Sequence, residues 1–167
     1  MTLLTPELAE KVGSTVVYTA PEPWGAAAGR YFATAIDDRN PIYLDDARAR
    51  ELGLDGVTIP PTLVLESNQY TGLERSGEGY AGHGWGLEVP GTRQVRGGNA
   101  YRFHRRMRPD DVVTVTYTLA SITPKVNRAG QEMLIFATHV EVSDQRGGLI
   151  AENDETTILI ALERSGA

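Results

Sequence analysis

The chain has 167 residues, a length that suits one domain with its own core, here expected to run from about residue 14 to 163. It holds no cysteine, which excludes disulfides and thiolate metal sites, and its formal charge of −6 argues against a nucleic-acid surface, since phosphate binding needs an excess of Lys and Arg. No apolar run approaches the ~20 residues of a membrane span and the N-terminus lacks a signal-peptide pattern, so the expected home is the cytoplasm, away from the membrane.

In chain order, Thr5-Pro6-Glu7-Leu8 to Gly13 predicts a short helix, with Thr5 as N-cap, Pro6 in the first turn and Gly13 as the stop. Val16 to Tyr18 predicts a brief strand, broken by Pro21 and Pro23. From Trp24 to Ile36 the apolar residues Ala28, Phe32, Ala35 and Ile36 recur at three- and four-residue steps, predicting a helix that buries one face. Pro41 ends that helix and pushes Asn40 out of the α region. Asp45 or Asp46 then caps a second short helix ending near Gly53. Pro60-Pro61 opens a third, from Thr62 to about Tyr70, with Leu63, Val64 and Leu65 as its apolar start.

Residues 71–98 are rich in glycine and predict a long loop, of a length that is usually functional or mobile. Four strands follow, at residues 99–104, 112–122, 133–142 and 149–162, rich in Val, Ile, Thr and Tyr. Turn chemistry separates them at Arg108-Pro109-Asp110-Asp111, Asn127 to Gly130 and Asp144 to Gly148. One strand, three helical pieces and then four long antiparallel strands make an α+β pattern.

Residues 32–49 carry an aromatic, a helical run and then Asp38-Arg39-Asn40-Pro41-Ile42-Tyr43-Leu44-Asp45, with Ala49 further on. This resembles the fingerprint of the MaoC-like hydratases, Gly-Asp-x-Asn-Pro-aliphatic-His-x-Asp. Phe103-His104-Arg105-Arg106-Met107-Arg108-Pro109-Asp110-Asp111-Val112 resembles a second run of that family, and Gly147 to Glu152 its closing strand. The likeness is closest to the branch whose members occur as single hot dogs paired with a different hot-dog chain, the FAS1-like dehydratase type. It implies a single hot-dog domain in which an antiparallel sheet wraps a central helix. It also implies (R)-specific enoyl-CoA hydratase or 3-hydroxyacyl dehydratase chemistry on an acyl-CoA or acyl-carrier-protein thioester, with no further cofactor.

That chemistry needs a base and an acid on one water, and the resemblance assigns Asp38 the first of these roles, with Asn40 and Pro41 as the rigid turn. The fingerprint His is replaced by Tyr43. A phenol, with a reference pKa near 10 against about 6.5 for imidazole, is ionised to roughly a thousandth at neutral pH. Losing general-base catalysis typically costs ~100- to 10,000-fold. In catalytic relatives a backbone N–H at the start of the central helix bonds the thioester carbonyl. Pro61 falls at that place and has no N–H, which leaves Thr62 and Leu63 as donors. Both Tyr43 and Pro61 also read simply as packing and first-turn residues.

Arg102, Arg105 and Arg106, with Arg93, Arg96 and Arg108, concentrate positive charge in an acidic chain and are expected to grip the phosphates of coenzyme A, or to be solvated surface groups. Trp85 and Tyr80 are expected to line an acyl pocket or anchor the loop. His83, His104 and His139 read as structural, and no pair has metal-ligand spacing. Glu66, with Asn68 and Gln69, supports a rival thioesterase reading. The expected role is the acyl-binding, catalytically deficient subunit of a heteromeric hydratase, joined to a hot-dog partner chain. The alternatives are a self-sufficient homodimeric hydratase or thioesterase, and a binding module without turnover.

Overall fold

The hydroxyl of Thr5 accepts the N–H of Leu8 at 3.3 Å and caps α1, Pro6–Ala9, as the Thr-Pro pair dictates. The structure is a computed structural model that describes residues 3–64, 83, 85–87 and 89–162. After α1 come β1 (Thr15–Thr19), α2 (Gly25–Ala35), α3 (Pro41–Leu44) and α4 (Asp46–Glu51), and then β2 (Thr92–Phe103), β3 (Thr114–Val126), β4 (Glu132–Ser143) and β5 (Leu149–Ala161). The expected helix from Thr62 to Tyr70 lies, beyond Val64, outside the described residues, as do Glu66, Asn68, Gln69 and Tyr80. Among the described residues no helix is long and apolar enough to cross a membrane.

The five strands form one antiparallel sheet in the order β1-β3-β4-β5-β2. Alternation decides its faces. Val115, Tyr117 and Leu119 of β3, Leu134, Phe136 and Val140 of β4, and Ala151 and Leu159 of β5 point to one side and are buried. They meet Trp24, Ile59, Leu63, Val64, Trp85 and Met107 in the main core. The opposite, outer face carries Thr118, His139, Glu141, Glu152 and Asp154.

Three expectations are corrected. The buried face of α2 is Gly29 and Ala33, flanked by Ala28 and Phe32, whereas Ala35 is exposed and Ile36 is 49% exposed. The reason is close approach: a Cβ on Gly29 would stand 2.7 Å from Ile59 Cδ1, so the helix docks through its smallest residue and its last turn runs past the core. Next, β2 begins at Thr92, so residues 92–98 are strand and not loop. Their glycines accommodate a bulge between Arg96 and Gly98 and the Thr156 side chain, which lies 2.7 Å from where a Gly97 Cβ would sit. Finally, β3 runs on to Val126 through Pro124. β1 pairs only as far as Thr118, so Pro124 sits on a free edge where its missing N–H breaks no ladder bond on that side.

Candidate active site

The residues of the fingerprint are held by a chain of side-chain caps. After α2 the backbone reverses at Asp37 in the left-handed region, φ +53°. Asp37 stands where the fingerprint has Gly, and Asp is among the few L-residues that visit this region readily. Asp38, half-buried, bonds its N–H to Ala33 O at 2.8 Å, and its carboxylate accepts the N–H of Asn40 at 3.0 Å. The Asn40 side-chain oxygen accepts the N–H of Ile42 at 3.2 Å and caps α3, with Pro41 in the first turn. Asp45 caps α4 by accepting from Arg48 N–H at 3.1 Å.

Tyr43 is 6% exposed and packs with Ala33 and Ile42, fringed by Leu44 and Leu54, in a small apolar cluster apart from the main core. Among the described residues its hydroxyl bonds to no protein group. The Pro60-Pro61 segment is sewn to this loop: Thr58 N–H bonds Ile42 O and Ile59 N–H bonds Met107 O, both at 2.9 Å. Pro61 and Thr62 are exposed, whereas Leu63 turns into the main core and spends its N–H on Pro60 O at 2.9 Å. Of the two donors expected after Pro61, Leu63 is therefore engaged and Thr62 remains.

Trp85 lies on the inner face of the sheet, where its indole N–H donates to Thr138 Oγ1 at 3.2 Å. Its backbone is left-handed, φ +56°, an uncommon state for a bulky residue. The Lys11 ammonium holds it there, donating to Trp85 O at 2.8 Å. His83 meets the indole edge-on at 4.4 Å between centroids, and its Nδ1 lies 2.6 Å from the Tyr18 hydroxyl. Burial, and secondarily the charge of Lys11, hold the His83 imidazole below its ordinary pKa.

The arginines do not share one face. Register puts Arg93 and Arg102 on the outer side of β2 and Arg96 on the inner side. Arg102 donates to Glu152 at 3.2 Å. The Arg105 guanidinium is spent on Asp111 and Asp144, each at 2.7 Å, and hydrogen bonding to Asp111 raises its pKa further. Arg105 therefore ties the end of β2 to two turns, whereas Arg102 and Arg106 are exposed, as are Arg93, Arg96 and Arg108. Sequence reading missed two polar atoms, Thr58 Oγ1 and Asn153 Oδ1, that are buried without a hydrogen-bond partner among the described residues. It also missed the gathering of His139, Glu141 and Glu152 on the outer face.

A family model described as FAS1-like, dehydratase domain region, matches residues 17–153. The chain belongs to this family. A UPF0336 protein of Thermobifida fusca is 34% identical to this FAS1-like dehydratase-region chain over 125 residues, 74% of the chain and 76% of the relative. A protein named probable enoyl-CoA hydratase alpha subunit, of Thermomonospora curvata, is 27% identical over 73% of the chain but only 40% of its own length, so the chain spans less than half of that relative. In fold, the chain superimposes on one chain of the ChsH1-ChsH2 complex of Mycobacterium tuberculosis with a TM-score of 0.73 at 22% identity, covering 96% of this chain and 90% of that chain. It superimposes on the MaoC-like dehydratase of Rhodospirillum rubrum with a TM-score of 0.67 at 19% identity, covering 92% and 94%. The α+β sheet is thus the hot dog of the MaoC-like hydratases and dehydratases, as the fingerprint implied.

Proposed function

We propose that this chain is the acyl-binding half of a two-chain enoyl-thioester hydratase or 3-hydroxyacyl-thioester dehydratase of the cytoplasm, and that the working Asp and His come from a hot-dog partner. The observation that carries the reading is Tyr43: the position reserved for an imidazole holds a phenol packed among Ala33, Ile42, Leu44 and Leu54. Such a group cannot take a proton from water near neutrality. The capped turns that hold Asp38, Asn40 and Pro41 around it support a loop that keeps its frame while the partner supplies the base. A relative named as an alpha subunit and a structural neighbour solved as a two-chain complex support a paired assembly. So does β2, a 12-residue edge strand with most of its side chains exposed, including Tyr101 and Phe103 stacked at 6.1 Å. In this reading Pro61, Thr62, Leu63 and Trp85 border the acyl group, with the Thr62 N–H as donor to the thioester carbonyl, and Arg102 and Arg106 face the phosphates of coenzyme A.

The test is co-expression with a short hot-dog chain bearing the full Gly-Asp-x-Asn-Pro-x-His run, followed by hydration of an enoyl-CoA. The complex turns over and the isolated chain does not. Asp38→Ala in this chain lowers the rate of the complex by less than the ~100-fold that losing an acid–base group costs, whereas the same change in the partner exceeds it. Turnover by the isolated chain that Asp38→Ala abolishes overturns the reading.

A further inference from the structure

On the outer face of the sheet, cross-strand register brings Glu141 of β4 directly opposite Glu152 of β5, with His139 opposite Asp154 one pair along. Two carboxylates facing each other repel, and nothing in the family reaction uses them. The ligating atoms of His139, Glu141 and Glu152 all lie within 4.8 Å of one another. His139 Nε2 and Glu152 Oε1 are 3.6 Å apart. That is too long for a direct hydrogen bond and close to the roughly 3.4 Å that separates two ligands held about 2.1 Å from one tetrahedral ion.

The remaining atoms of these ligands are already pinned. His139 Nδ1 lies 2.8 Å from Asp154 Oδ1, the carboxylate–histidine pairing that orients a metal-binding imidazole and leaves Nε2 as the ligand. Glu152 Oε2 accepts from His104 Nε2 at 2.6 Å and from Arg102 at 3.2 Å, which turns Oε1 toward His139. Glu141 is exposed and, among the described residues, forms no hydrogen bond or ion pair, so its carboxylate is available as the third ligand.

From this geometry we infer a divalent-cation site on the outer face, with His139 Nε2, Glu152 Oε1 and the Glu141 carboxylate as ligands and Asp154, His104 and Arg102 as the groups that orient them. One nitrogen and two carboxylate oxygens select a borderline ion of the zinc class over magnesium. Three protein ligands leave a fourth tetrahedral position open to water or to a donor atom from outside. His139 and Glu141 stand two apart on β4, but Glu152 joins them only through the pairing of β4 with β5, so the sequence alone does not gather the set.

The probe is Zn2+ titrated into the metal-stripped full-length chain, read by calorimetry and by metal analysis after dialysis. The wild type takes up one ion per chain. His139→Ala and Glu141→Gln each weaken binding at least tenfold. Glu141 is exposed, so its variant keeps the test decisive even if His139→Ala misfolds. Asp154→Asn weakens binding by about 10- to 100-fold, the usual cost of losing a carboxylate that orients a ligand. His104→Ala keeps the stoichiometry. Absence of bound zinc in the wild type, undiminished affinity in Glu141→Gln, equal uptake of Mg2+, or a loss in His104→Ala as large as that in His139→Ala overturns the assignment.

Discussion

Tyr43 fills space in a cluster too small to spare it: Ala33 and Ile42 are its buried companions, and Leu44 and Leu54 only fringe them. Truncation to alanine therefore removes most of that cluster. Tyr43→Ala is expected to cost about 3 kcal/mol, the low end for a buried aromatic, while Tyr43→Phe stays within ~0.5 kcal/mol because the hydroxyl bonds no protein group among the described residues. Paired denaturant midpoints of the two variants check this, and an equal loss in both would assign the stability to the hydroxyl. Of the neighbouring caps, Asp45 was legible in the sequence as one of two candidates, because an Asp three residues before a backbone donor is a local signal, whereas α3 and its Asn40 cap were not foreseen. The left-handed Asp37 could have been read from the fingerprint, whose Gly it replaces. Thr58 Oγ1 and Asn153 Oδ1 could not, since an unpaired buried atom follows from tertiary packing alone.

Among the elements, the β4–β5 turn shows how one side chain can organise a connection. Asp144 Oδ1 accepts from the N–H groups of Arg146 and Gly148, both at 2.8 Å, and Oδ2 accepts from Arg105 at 2.7 Å. The backbone donors of Gly148 and Arg146, helped by Arg105, hold the Asp144 carboxyl below its ordinary pKa. The folded state thus binds this proton less readily than the unfolded chain does. The stability it contributes is complete above the ordinary aspartate value of about 3.9 and is lost as pH falls through the lower folded value. Asp144→Asn is expected to flatten acid unfolding in that window, as followed by circular dichroism. An unchanged acid midpoint would count against the linkage. The Asp-x-x-Gly-Gly signal announced this turn correctly, whereas the glycines of β2 misled. They meet a neighbouring strand's threonine at close range, and composition cannot distinguish such a contact from a flexible loop.

For the whole molecule, the sheet ends on β2, whose outer edge has no strand beside it among the described residues. Phe103, 44% exposed and stacked on Tyr101, lies at the end of that strand. Phe103→Glu is expected to weaken pairing with the partner chain at least tenfold, by light scattering across a dilution series, with a melting temperature of the separate chain within ~2 °C of wild type. Full-strength pairing in the variant would move the interface elsewhere. Fold class and the order in which the strands appear were readable in advance because they rest on periodicity and short motifs. The outer-face cluster was not, because register across two strands creates it. The border left by β2 also bears on supply within the cell. A sheet edge of this length, open among the described residues, can template further strands, so under the proposed pairing copies made in excess of their mate are prone to clump or to fall to chaperones and proteases. In the proposed two-chain assembly, keeping the two polypeptides in step during synthesis then matters as much to the yield of complex as the affinity between them.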